Sequence, residues 1–296
     1  DAEQWADKAE TYRRRAVELL WDGGKFLHHV HLDSIEHGAF DERNQLAMGN
    51  TWAMTRGLAT HEQSQKIIDE YRRRHKATGD AYPWWSLQPG YPDELGYFGK
   101  DYCKQGGYAN GGLMPWVGGE LCHAAFLHGR ERYGIELLHQ YADHLRRTGG
   151  AYVWYWPNGE PGFRTTNEVS YGGWYMAPWI DALMDGLAGV NDADYLMQKM
   201  SVSPRWAATN VEKVCVTSCY AASGACFSYL MQIDKANSTL ALSYTGSGNT
   251  ADFSVLLPEG WTPKFLTIEG QQIDFHLTQI DTSCYVEFQS SIFGVN

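Results

Sequence analysis

The sequence is short of positive charge, of long apolar runs and of metal-spaced cysteines, and each shortage removes a class of function. Its 24 Lys and Arg stand against 35 Asp and Glu, a formal net charge of −11. That balance disfavours nucleic acid and anionic membrane as partners and leaves neutral or cationic ligands. The arginine clusters at Arg13–Arg15 and Arg72–Arg74 fall inside predicted helices and read as solvated faces. No apolar run approaches the roughly 20 residues of a membrane span. No signal peptide is visible, and the chain begins at Asp1 rather than Met, so the natural N-terminus is expected upstream or removed by processing. Localisation is left open.

The six cysteines (Cys103, Cys122, Cys215, Cys219, Cys226 and Cys284) match no zinc spacing. They read as mostly buried thiols, with one or two disulfides allowed in the tail. No nucleophile elbow, phosphate loop, paired-His helix or EF-hand spacing occurs, so no cofactor is expected. His28, His29 and His31 are read the same way. No carboxylate lies at helical spacing from them, and adjacent residues of an extended chain point to opposite faces. No metal is expected there.

What the chain does have is an aromatic loop. From Tyr82 to Trp116 it carries nine aromatic residues, four prolines and the acidic pair Asp93 and Glu94, with neither helical nor strand period. A structureless stretch of this length is unusual in a compact domain unless it is functional or disordered. Disordered segments are poor in aromatics. Flat rings beside carboxylates and amides suit a ligand with apolar C–H faces and many hydroxyls, a sugar. The alternative is that these rings fill core.

Hydrophobic residues make up 44% and charged residues 20%, an ordinary globular composition. Apolar spacing predicts helices over 2–20, 44–58, 61–75, 113–128, 132–147 and 174–188. Thr60 and Gln63 form a capping-box pattern before the third. SVSPRW (201–206) reads as a connector. From about 211 to 290 come seven short β-rich runs separated by turn signals, which argue a small antiparallel sandwich. The expected domains are 1–205, helical, and 206–296, a β-sandwich.

YANGGLMPWVGG (108–119) resembles the Tyr-x-Asn-Gly-Gly-x-x-Pro element of six-hairpin glycosidases, a group with an (α/α)6 toroid that includes glycogen-debranching amylo-1,6-glucosidases, neutral invertases and processing α-glucosidases. FDERNQLAMGNTWAMTRGLA (40–59), PGYPDELGYF (89–98), WYWPNGEPGF (154–163) and the helix after Tyr171 are similar to further pieces of that family, in order. The resemblance covers about residues 1–205. It implies an α domain that is the second half of a toroid. Three hairpins cannot close a ring, so the resemblance also implies a second polypeptide, a cleaved N-terminal half or a homodimer that covers the apolar faces.

Glycoside hydrolysis needs a proton-donating carboxyl group and an ionised one. In the resembling families the acid belongs to the first half of the toroid and the base to a Glu-x-Tyr-x-Pro element. Here Tyr155 and Pro157 match, but the Glu position is Val153. The replacement candidates are Glu168, Glu42 and Asp41, in loops that precede helices, and the pair Asp93 and Glu94 in the aromatic loop, with Glu168 and Glu42 ranked first. Trp84, Trp85, Asp93, Glu94, Tyr108, Asn110, Trp116, Tyr155 and Arg164 are the expected saccharide contacts. The activity implied is glycosidic cleavage. Non-catalytic carbohydrate binding and glycosyl phosphorolysis are the alternatives.

Overall fold

A computed structural model describes residues 2–33, 38–95, 101–163 and 172–292. The chain divides into two compact units, 1–125 with 137–180 and 126–136 with 181–296. The division falls at 180/181 rather than at 205, and it assigns the connection 126–136 to the second unit.

In the first unit the helices are α1 (Ala2–Leu20), α2 (Gly49–Thr55), α3 (His61–Thr78), α4 (Pro115–Leu127), α5 (Glu131–Thr148) and α6 (Ala177–Asp181), with the last residues of α4, the first of α5 and Asp181 counted in the second. The spacing of Trp5, Ala9, Tyr12, Ala16 and Leu19 makes α1 a helix with an apolar stripe, yet none of its residues is buried. α3 starts on the expected box: Thr60 Oγ1 accepts from Gln63 N and Gln63 Oε1 accepts from Thr60 N. It ends at Gly79 in the left-handed region.

The predicted helix 44–58 is shorter. Glu42–Asn44 is a 3-10 turn, and Leu46–Ala47 (β1) pairs antiparallel with Leu87–Gln88 (β2). The predicted helix 174–188 is a 3-10 turn, then α6, then a π turn over Ala182–Leu187. Between these elements the aromatic loop is stitched by isolated bridges, Trp85 to Leu113 and Leu113 to Tyr155. Its polar backbone is thereby satisfied without long strands.

The second unit holds β3 (Val190–Asp192), β4 (Lys199–Val202), β5 (Lys213–Cys219), β6 (Cys226–Asp234), β7 (Thr239–Gly246), β8 (Thr250–Leu256), β9 (Leu266–Ile268), β10 (Gln271–Ile273), β11 (His276–Ile280) and β12 (Ser283–Ser291). One sheet runs β11-β12-β8-β4-β3, a second β5-β6-β7, and β9 pairs with β10. Phe227, Tyr229 and Met231 of one sheet share a core with Met200, Phe253 and Val255 of the other. The five-stranded sheet is mixed rather than antiparallel, because β4 runs parallel to β8. The stretch read as a connector supplies the last two residues of β4, and its Arg205 is buried, donating from Nη1 to the carbonyls of Gly186 at 2.6 Å and Ser203 at 3.0 Å.

All six thiols are free. Cys103 and Cys122 are buried, whereas Cys215 and Cys219 are exposed, so the expectation of mostly buried thiols with disulfides in the tail is corrected. No helix among the described residues is long and apolar enough to cross a membrane. The architecture is α plus β.

Candidate functional site

The first unit contains a cleft of about 570 Å³ lined by Phe26, His28, Met48, Trp52, Leu87, Tyr91 and Asn110 among others. Two asparagines build its walls by the same device. Asn50 Oδ1 accepts from Phe26 N at 2.8 Å, while its Nδ2 donates to Phe26 O at 2.9 Å and Ala47 O at 3.1 Å. Asn110 Oδ1 accepts from Tyr91 N at 2.6 Å, and its Nδ2 donates to Tyr91 O at 3.0 Å and Cys103 O at 3.2 Å. Each side-chain amide thus grips both polar groups of a distant residue, replacing a missing strand partner. Gly111 follows at φ +109°, a conformation that a side chain would strain.

The two gripped segments carry polar side chains that meet. Tyr91 Oη donates to Glu42 Oε1 at 2.7 Å. His31 Nε2 lies 2.6 Å from Glu42 Oε2 and 3.0 Å from His29 Nε2, and His29 Nε2 lies 3.4 Å from Glu42 Oε2. Burial, and then the bond to Glu42, pushes the Tyr91 phenol well above its ordinary range. Burial, and then neighbouring His29, holds His28 below the usual imidazole value, against the pull of Gln45 and Glu42.

The structure gathers only some of the residues singled out from sequence. Trp84, Trp85 and Tyr155 have no exposed ring face and pack as core rather than as walls for a ligand. Trp84 stacks on Tyr82 with centroids 4.0 Å apart, Trp85 Nε1 donates to Asp80 at 2.7 Å, and burial pushes the Tyr155 phenol up to about 12. Gly118 exists for this packing, since a Cβ there would lie 2.5 Å from the Trp84 ring. Trp116 is buried behind Trp52, the rings stacked at 4.7 Å.

Asn110 lines the cleft, but its amide is spent on backbone. Tyr108 is half-buried between Tyr102 and Trp154. Asp93 and Glu94 are exposed on a 3-10 turn, where Asp93 Oδ1 accepts from Gln105 N at 2.8 Å. Asp41 caps the turn of Glu42 by accepting from Arg43 N. Glu168 and Arg164 lie outside the described residues.

Three features escaped the sequence reading. Trp52 is 43% exposed and presents a ring to the cleft, though it sits in the same GNTW motif as the clamp Asn50. Tyr91 was one aromatic among nine. The histidines have no carboxylate at helical spacing, yet Glu42 reaches them from a separate turn. The signal available was His-x-His, since residues two apart on an extended chain share a face.

No family model matches the chain, and no curated protein matches it. Among solved structures, the chain is similar to the GH78 family rhamnosidase of Bacillus sp. GL1, with TM-score 0.52 and 16% identity. That alignment covers 88% of this chain and 23% of the rhamnosidase, so the chain spans about a quarter of that protein's length. At this identity the likeness is one of fold, and it places the chain's architecture, distantly, beside that of a glycosidase.

Proposed function

We propose that the chain is the saccharide-binding and catalytic-base portion of a glycosidase, forming the second half of an (α/α)6 toroid followed by a β domain. The observation that carries this reading is the fold likeness to a rhamnosidase across 88% of the chain. The cleft supports it: the exposed Trp52 ring offers a flat apolar face for sugar C–H groups, with the Tyr91 and His28 side chains alongside. Glu168 is the carboxylate reserved for proton transfer. Asp41 is engaged as a cap, and Glu42 is shared among two imidazoles and a phenol. The proton-donating acid comes from a second polypeptide, a cleaved N-terminal half or another copy. The exposed stripe of α1, with Trp5 at 66%, Tyr12 at 60% and Leu19 at 62%, is a surface for such a partner to cover.

Saccharide binding without hydrolysis is a second reading, favoured by Val153. At the position of the family's base it packs beside the Met114, Trp116 and Trp154 cluster and brings no carboxylate. The test is turnover of a glycoside panel by the native assembly, with and without phosphate. Hydrolysis abolished in Glu168→Gln supports the proposal. Turnover dependent on phosphate points to phosphorolysis, and binding without turnover points to the second reading. Full activity in Glu168→Gln overturns the assignment of the base.

A further inference from the structure

The residues around Glu42 are held more firmly than a solvated loop requires. Asn50 fixes the backbone at Phe26, and Leu27 N donates to Leu20 O at 2.8 Å, so His28–His31 leave from an anchored point. The buried Lys25 donates from Nζ to Asp22 Oδ2 at 2.7 Å and to Arg43 O at 2.6 Å, pinning the Glu42 turn to the histidine segment. Tyr91, itself fixed by Asn110, orients the Glu42 carboxylate from its other oxygen. Three anchors from three parts of the sequence thus converge on His29, His31 and Glu42.

The atoms these anchors bring together crowd three potential ligand atoms around at most one shared proton. His29 Nε2, His31 Nε2 and Glu42 Oε2 all lie within 4.8 Å of one another. A ring nitrogen carries either a hydrogen or a lone pair. When His31 Nε2–H donates to Glu42, the same single hydrogen is all that can serve His29 Nε2, 3.0 Å away. When it keeps its lone pair for His29, it faces a carboxylate oxygen at 2.6 Å with no hydrogen between. A cation takes the place of that shared proton and can accept a lone pair from each of the three atoms. Around a tetrahedral zinc ion, ligand atoms stand about 3.3 Å apart, given bonds of roughly 2.0–2.1 Å. The separations of 3.0 and 3.4 Å lie near that edge, and the 2.6 Å between His31 and Glu42 has to widen by about 0.7 Å to reach it. His28 Nδ1 lies 3.2 Å from His29 Nδ1, the outer-ring contact that orients a ligating imidazole.

We infer that His29, His31 and Glu42 bind a divalent cation of the zinc class beside the cleft, with Tyr91 orienting the carboxylate. Two imidazoles and one carboxylate favour a borderline ion over the oxygen-seeking calcium or magnesium. Three protein ligands leave a coordination position for water or a ligand hydroxyl. The site closes the histidine segment onto the Glu42 turn at the cleft, and it makes Glu42 a ligand rather than a proton-transfer group. The inference does not rest on saccharide chemistry, and its test contains no sugar.

The full chain, stripped with chelator, is titrated with zinc chloride by calorimetry. The expected result is one ion per chain with Kd below about 1 µM. His29→Ala and His31→Ala each weaken binding at least ~100-fold, and Tyr91→Phe weakens it ~10-fold at unchanged stoichiometry. Far-UV circular dichroism checks that each variant is folded. Cobalt substitution of the unaltered chain supplies a readout independent of any variant: weak visible bands without thiolate charge transfer identify nitrogen and oxygen ligands. No saturable binding up to about 100 µM zinc overturns the inference. So does undiminished binding in the folded His29→Ala/His31→Ala double variant, or a thiolate band in the cobalt form, which would place the ion on exposed cysteines such as Cys215 and Cys219.

Discussion

The two compact units fill their interiors from different kinds of backbone. In the β-rich unit, Phe227, Tyr229, Met231 and Ile233 alternate along β6, and Ala251, Phe253 and Val255 alternate along β8. In the helical unit, Trp84, Trp85, Trp154 and Tyr155 are among the largest fully buried side chains, and all four lie outside helices and multi-residue strands. Regular strands bury one face because the pleat alternates. The loop buries rings because each ring meets a partner: Trp84 on Tyr82 and against Trp179, and Trp85 on Tyr71. An aperiodic aromatic segment can therefore be core, provided that its backbone is bonded elsewhere.

Replacing one ring from each unit breaks or sharpens this contrast most directly. Trp84→Ala and Phe253→Ala should each cost about 3–5 kcal/mol, measured by urea denaturation. A Trp84→Ala loss below ~1 kcal/mol, as at an exposed site, would show that the loop is not core in solution.

A smaller effect comes from His144, which is buried beside Tyr82 and Trp84. Burial, and then the Arg147 charge, lowers its pKa to about 4. The unfolded chain, with an imidazole near 6.5, binds the extra proton first as pH falls. Stability is thus fully present above about pH 6.5 and is lost progressively toward pH 4, by roughly 3 kcal/mol. A His144→Phe variant should flatten that part of the pH profile. An unchanged slope would place the acid sensitivity elsewhere.

Asn110→Ala should cost about 1–3 kcal/mol, since it frees the partly buried Tyr91 backbone groups from their partner. It should also weaken whatever Glu42 binds. Asn50→Ala should behave alike, and thermal melts of the two variants compare the clamps. The smallest stability effect is expected at Trp52. Its ring is partly exposed, so Trp52→Ala should stay within about 1 kcal/mol of the parent while lowering saccharide affinity ~10-fold or more by fluorescence titration. Unchanged affinity would remove Trp52 from the cleft's function.

These regions also differ in how far they could be read in advance. The alternation of β6 and β8 and the stripe of α5 place Phe227, Phe253, Leu137 and Tyr141 without coordinates, because burial follows a fixed period along the chain. Trp84 and Trp52 are both loop or short-helix tryptophans in apolar surroundings, and no local pattern separates the buried one from the exposed one. Val153 shows the same limit: the chain places a valine beside Trp154, but only the fold shows that it packs against the cluster of Trp116 and Trp154.

The chain alone was enough for α1, α3, α4 and α5, for the capped start of α3 and for the β-rich runs from about residue 211, because each depends on residues close together along the chain. Tertiary structure alone decided that Asn50 and Asn110 are clamps, that the loop tryptophans turn inward, and that Glu42 meets His29 and His31. Asn50 reaches Phe26, Asn110 reaches Tyr91, Glu42 reaches His31 and Trp84 meets Trp179 across intervening chain, so their geometry depends on how that backbone folds back.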